Sequence, residues 1–248
     1  MADPVTLSLS IVSHGQGLLV SNLLSDLRCS EWHAGISFEV ILTLNVSEDE
    51  EWLEGPFPFP ISVIRNEHPK GFGANHNAAF RNASGHLFAV VNPDVRLASF
   101  RAVDMINAVE RDRVGVCGPL VKAPDGTVED SARRFPTFAL LVQRKLRRRP
   151  KSDYEPSAIP VQVDWLAGMF LLFSSNIYND IGGFNEDYFM YLEDVEICRH
   201  LNQRGQKVLW VTSTAVIHDA SRASRRSLRH LRWHVSSLFR YLIANPRR

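Results

Sequence analysis

Apolar residues fall in two rhythms along the 248-residue chain. Short apolar runs at residues 6–12 (TLSLSIV), 38–44 (FEVILTL), 61–65 (ISVIR), 87–91 (LFAVV) and 114–121 predict strands. Between them, residues 17–27, 74–82 and 99–111 repeat their apolar side chains at helical spacing. Strands alternating with helices predict an α/β layer around a mostly parallel sheet. Right-handed crossovers in such a sheet line up the C-terminal strand ends along one edge, where ligands bind.

The second half is less regular. Residues 137–147 predict a helix, and 151–160, polar with two prolines, a loop. Strand patterns follow at 163–173, 207–211 and 215–218, with a helix at 191–202. Near the end, Leu228, Leu231, Val235, Leu238 and Leu242 share one helical stripe. The pattern thus predicts one α/β domain over 1–220. A basic amphipathic helix over 221–248 would pack on that domain, on a second copy of the chain in a homodimer, or on a membrane surface.

No apolar run approaches the ~20 residues that a membrane-spanning helix needs. The start lacks the basic stretch, apolar run and cleavage site of a signal peptide. Cys29, Cys117 and Cys198 are far apart and show no metal-ligand or disulfide spacing, which fits a reducing, cytoplasmic setting. A hydrophobic share of 45% excludes global disorder. The net charge of +1 hides a strong asymmetry: residues 133–151 and 222–248 hold 16 of the 28 basic side chains and no acid. Basic segments on an acidic body imply an anionic partner, lipid headgroups or a phosphate-bearing substrate, and nothing points to nucleic acid.

Three features carry candidate chemistry. Asn92-Pro93-Asp94 directly follows a buried strand, so a carboxylate sits at a strand end beside a proline of fixed φ. That arrangement suits a divalent cation beside phosphates, although the tripeptide is also a common turn. Residues 182–196 (GGFNEDYFMYLEDVE) interleave five acids with aromatics. There Glu193 and Asp194 fall in the first turn of a helix, whose dipole favours ionised carboxylates. His218 closes an apolar strand, a position from which imidazole can ligate a metal.

The order of these features resembles the inverting glycosyltransferases of family 2, which have the GT-A fold, over nearly the whole chain. The segment Ser131-Ala132-Arg133-Arg134-Phe135-Pro136-Thr137, with NPD in place of DxD, looks most like the bacterial rhamnosyltransferase branch.

The resemblance implies a role for each matching residue. Asp94 would bind Mg²⁺ or Mn²⁺ bridging the donor diphosphate, with Asn92 in place of the first acid and His218 as a further ligand. Asp194 would deprotonate the acceptor hydroxyl for in-line attack on the anomeric carbon. Trp165, Gly168 and Glu193 would border the sugar and acceptor pocket, and Arg134 would reach donor phosphates. Ser13, His14, Asn45, Asn66, Gly71, Phe72, Gly73 and Asn77 would lie along the nucleotide. The expected donor is a nucleotide-sugar, with dTDP-rhamnose favoured over UDP- or GDP-sugars, and the acceptor a glycan or polyprenyl-linked sugar of bacterial surface polysaccharide. A non-catalytic scaffold of the same fold is the alternative, but it would need none of Asp94, Asp194 and His218. Leu44 departs from the family, which commonly has an aspartate there.

Overall fold

The computed structural model describes residues 5–29, 31–33, 35–137, 152–219, 233, 236–241 and 243. The chain runs β1 (Leu7–Ser13), α1 (Gly17–Leu27), β2 (Phe38–Leu44), β3 (Ile61–Arg65), α2 (Phe72–Phe80) and β4 (Leu87–Val91). It continues β5 (Val95–Ser99), α3 (Ala102–Val109), β6 (Val114–Lys122), β7 (Ala132–Arg133), β8 (Val161–Val163) and β9 (Trp165–Leu166). β10 (Phe170–Ser174), α4 (Ser175–Asp180), α5 (Glu193–Gln203) and β11 (Lys207–His218) follow, and the described residues from 233 onward are helical.

The main sheet has the order β3-β2-β1-β4-β10-β6-β11-β5, with β8 added beside β11. β3, β2, β1 and β4 are parallel to one another, as are β6 and β11. β10 runs antiparallel between β4 and β6, and β5 antiparallel on the far edge. Strands covered on both faces read as continuous apolar runs. In β4 all five residues are buried accordingly, and in β2 six of seven.

Two core clusters fill the two faces. On one, Leu23 and Leu24 of α1 and Met105 and Val109 of α3 pack on Leu9, Ile11 and Val91. On the other, Ala79 of α2, Tyr178 of α4 and Val195 and Leu201 of α5 pack on Ile41, Phe88 and Phe173. The C-terminal ends of β1, β2 and β4 therefore open onto one edge. The turn 167–169 reaches the same edge, because β10 is antiparallel to β4 and starts with Phe170 opposite Val91.

The structure corrects several predicted elements. One predicted strand over 163–173 is instead three: β8 pairs with β11, β9 with β7, and β10 with β4 and β6. The break comes at Gly168, whose N–H points at Asp194 Oδ2, 3.0 Å away, instead of joining a ladder. Two predicted short strands merge into the 12-residue β11, with the register to β6 shifting between Val211 and Ala215. β5 escapes the pattern because the NPD turn conceals its start. α2 begins at Phe72 and α5 at Glu193, each two residues from the predicted start. The predicted helix at 137–147 lies outside the described residues from 138 on, as do Leu228, Leu231, Val235 and Leu242.

Candidate active site

At the ends of β1, β2 and β3, polar side chains satisfy one another. Asn45 follows β2 and is the hub. Its Oδ1 accepts from Asn66 Nδ2 (2.9 Å) and Lys70 N (2.8 Å), and its Nδ2 donates to Lys70 O (3.0 Å) and His14 Nδ1 (3.2 Å). Asn66 also donates to Asn75 Oδ1 at 2.7 Å. His14, Asn45 and Asn66 thus come together as expected, and Asn75 of α2 joins them.

A second group forms where β4 and β11 end. His218 Nε2 lies 3.3 Å from Asp94 Oδ2, and its Nδ1 lies 2.9 Å from Glu129 Oε2. Burial alone would lower the His218 pKa, but the carboxylates of Asp94 and Glu129 outweigh it and push it up to about 9. Asp94 Oδ1 is buried and has no hydrogen-bond partner among the described residues. No group of three or more His, Cys, Asp or Glu disposed to hold a metal ion occurs among those residues.

The third group sits at the start of α5. Asp194 accepts from its own helix, Val195 N to Oδ1 (2.9 Å), and from the turn, Gly168 N to Oδ2 (3.0 Å). That turn also meets the NPD motif, since Met169 O accepts from Asn92 N at 2.9 Å. The two acidic motifs, a hundred residues apart in sequence, therefore share one three-residue turn. Glu193 is 5% exposed, and its Oε2 has no partner among the described residues. Burial, then the charge of Asp194, pushes Glu193 up to about 8. Burial raises Asp194 too, opposed by the N–H groups of Gly168 and Val195 and by the charge of Arg133. Glu193 is therefore the member of the pair that keeps its proton into the neutral range.

The sequence model of glycosyl transferase family 2 matches residues 34–182, more than half of the chain. The chain belongs to that family.

Among curated relatives, the N-acetylglucosaminyl-diphospho-decaprenol L-rhamnosyltransferase of Mycobacterium tuberculosis is 34% identical over 166 residues. That match covers 62% of this chain and 53% of the relative, so the chain spans about half of the relative's length. Rhamnosyltransferase WbbL of Escherichia coli K12 is 27% identical over 254 residues, covering 94% of this chain and 90% of its own. Among solved structures, GalNAc-T7 with UDP, GalNAc and Mn²⁺ superposes with a TM-score of 0.67 at 17% identity, covering 89% of this chain and 45% of that one. The Pyrobaculum calidifontis mannosyltransferase PcManGT with GDP-Man and Mn²⁺ gives 0.66 at 13% identity, covering 100% and 66%. At such identities these neighbours establish the fold, which is GT-A.

For this family 2 protein the structure also redistributes several expected residues. Asn77 is expected along the nucleotide, but its amide is taken up by protein. Its Oδ1 accepts from Tyr178 Oη (2.8 Å) and Phe184 N (3.0 Å), and its Nδ2 donates to Phe184 O (2.8 Å) and Glu186 Oε1 (3.0 Å). It pins the Gly182-Gly183-Phe184 turn. Ser13 is fully buried and accepts from Gln16 N at the start of α1 (3.1 Å). Gly71 and Gly73 approach protein. A Cβ on Gly71 would lie 2.7 Å from Phe189 O, and one on Gly73 2.6 Å from Phe184 Cβ. Phe72 joins the same packing, its N–H donating to Phe189 O at 2.9 Å. Arg134 is exposed, and its carbonyl accepts from Trp165 Nε1 at 2.9 Å.

The neighbouring Arg133 is the arginine that bears on Asp194. Its guanidinium lies 5.4 Å from the Trp165 ring centroid, its Nε donates to Asp130 O (2.7 Å), and its charge acts on Asp194. Arg133 and Glu129 are the residues that sequence reasoning missed. The double arginine was the available signal for the first, whereas Glu129, between Val128 and Asp130 just after a turn, gave none.

Proposed function

We propose that the chain transfers L-rhamnose from dTDP-rhamnose to a glycan or polyprenyl-linked acceptor in bacterial surface-polysaccharide assembly, with inversion. The observation that carries this reading is the shared turn, which ties Asp194 to the Asn92-Pro93-Asp94 strand end. The relatives named as rhamnosyltransferases support the sugar. The diphospho-decaprenol in the name of the mycobacterial relative supports a lipid-linked acceptor.

In the reaction, Asp194 accepts the proton of the acceptor hydroxyl as its oxygen attacks the anomeric carbon. The bond from that carbon to the donor diphosphate breaks on the opposite face, and the sugar inverts. Glu193, protonated at neutral pH, adds no second negative charge beside the base. Held between Asp94 and Glu129, His218 is an imidazolium below about pH 9 as long as no cation is bound, and it would have to give up that proton to ligate one. The residues fit a divalent cation, Mg²⁺ or Mn²⁺. Asp94 Oδ1 lacks a partner among the described residues, and His218 Nε2 adjoins the same carboxylate. Asp94, and His218 as the neutral imidazole, would be the residues that hold it. When bound, the cation would supply positive charge against the leaving diphosphate.

Among the described residues no helix is long and apolar enough to cross a membrane. The C-terminal segment supports contact with a membrane surface instead: Phe239 and Ile243 are 67% and 62% exposed, one turn apart, in a stretch rich in arginine. The sugar assignment is tested by thermal shift of the full chain with Mn²⁺ against a panel of dTDP-, UDP- and GDP-sugars. A selective rise with dTDP-rhamnose is expected. An equal or larger rise with a UDP- or GDP-sugar would overturn the rhamnose assignment.

A further inference from the structure

The loop that delivers Asp194 does not hold itself. Tyr191 and Leu192 have φ of 74° and 70°, a left-handed conformation that bulky side chains adopt only where their surroundings impose it. Leu192 is the N-cap of α5, and its side chain makes no capping hydrogen bond. The start of the base-bearing helix therefore depends on contacts from elsewhere in the chain.

On one side those contacts come from Gly71 and Phe72, which meet Phe189. On the other they come from the C-terminal helix. The Trp233 ring lies 4.9 Å from that of Phe189, with the planes 34° apart. Ser237 Oγ donates to Met190 O at 2.9 Å, and Arg240 pairs with Asp187 at 3.0 Å. Tyr241 is 1% exposed and packs in the same core cluster as Val195 and Ile197 of α5. Its hydroxyl accepts from Arg199 of α5 at 3.0 Å. One face of this helix thus grips Asp187, Phe189 and Met190 ahead of the left-handed pair, and the helix beyond it.

We infer that the C-terminal helix belongs to the catalytic apparatus, with Trp233, Ser237 and Tyr241 as positioning residues. They hold loop 187–192 so that Asp194 faces the acceptor hydroxyl. The inference rests on the proposed role of Asp194. It differs from a purely structural role for the helix, because loosening this grip displaces the base while leaving the strand ends at Asn45 and Asp94 in place.

The test compares the full-length wild type with Trp233→Ala, Ser237→Ala and Trp233→Phe. Three readouts apply: steady-state transfer, calorimetric donor affinity, and amide hydrogen exchange of segment 185–195. For both alanine variants kcat should fall by about tenfold to 10²-fold, the scale of a small misplacement of reacting groups. Donor affinity should stay within about twofold of wild type, and amides near 189–193 should exchange faster while those of β1 and β4 do not. Trp233→Phe, which keeps a ring against Phe189, should recover most of kcat. Unchanged kcat, a parallel loss of donor affinity, or unchanged exchange at 189–193 would each overturn the inference. Ser237→Ala removes a single hydroxyl, so it applies the same test should Trp233→Ala fail to fold. If the wild type transfers no sugar of the panel, the rhamnosyltransferase reading fails, and the exchange arm still decides whether the helix holds the loop.

Discussion

Polar groups at the ends of β1 to β3 and polar groups at the start of α5 occupy the same sheet edge under opposite conditions. Around Asn45 both amide atoms are engaged, by Asn66, Lys70 and His14. Around Asp194, Glu193 is buried with one oxygen that has no partner among the described residues, and two left-handed residues lead into the helix. A satisfied network rigidifies a surface and contributes to stability, whereas an unsatisfied buried pair costs stability. A protein retains such a cost where chemistry needs it. The asparagine network should therefore behave as scaffold, and the carboxylate pair as machinery.

Asp194→Asn should sharpen that contrast most. It keeps the shape and removes the base, so transfer should fall by roughly 10²–10⁴-fold, the usual share of general-base catalysis. Wild-type transfer by this variant would remove Asp194 from the role. Next comes Asn45→Ala, which leaves Lys70 N and Asn66 Nδ2 short of an acceptor. Unfolding stability should drop by about 1 kcal/mol, the scale of net hydrogen bonds lost by part-buried donors, as read by chemical denaturation. A larger loss of kcat than of stability would place Asn45 in the machinery instead.

Glu193→Gln should change transfer at neutral pH the least, and the sign of its effect on stability is fixed by linkage. The folded pKa of Glu193, about 8, lies above the ordinary value of 4.5. Its favourable contribution is therefore complete below about 4.5 and is lost as pH rises through about 8. Glutamine mimics the protonated acid at every pH, so the variant should gain stability on wild type progressively between about pH 4.5 and pH 8 and keep that gain above it. Parallel stability curves for the two proteins from pH 5 to 9 would show that Glu193 is not held protonated.

The main strands and the helices α1, α2, α3 and α5 were legible because burial on both faces leaves continuous apolar runs and burial on one face leaves a helical stripe. The run at 163–173 misled because its hydrophobicity reports burial and not partner, and three different ladders share it. The positions of Asp94, Asp194 and His218 at strand and helix ends were legible from their motifs. Their connection was not, since it runs through backbone N–H and C=O groups of Gly168 and Met169, which any residue carries. The same limit hid the glycines' purpose: Gly71 and Gly73 make room for Phe189 and Phe184, more than a hundred residues away. Burial also reversed one expectation at the carboxylates. The helix dipole favours ionised acids there, yet desolvation raises both Glu193 and Asp194, and the two N–H bonds and the charge of Arg133 oppose the rise at Asp194.

The central claim is that donor binding and proton removal reside in separate parts of one edge. Calorimetry of the nucleotide-sugar with Mn²⁺ tests it most directly, on Asp194→Asn beside Asp94→Ala. The account predicts wild-type donor affinity for Asp194→Asn despite its lost transfer, and metal-dependent binding weakened on the order of 100-fold for Asp94→Ala, the coupling scale of a close charge. Donor affinity lost in Asp194→Asn and kept in Asp94→Ala would contradict it.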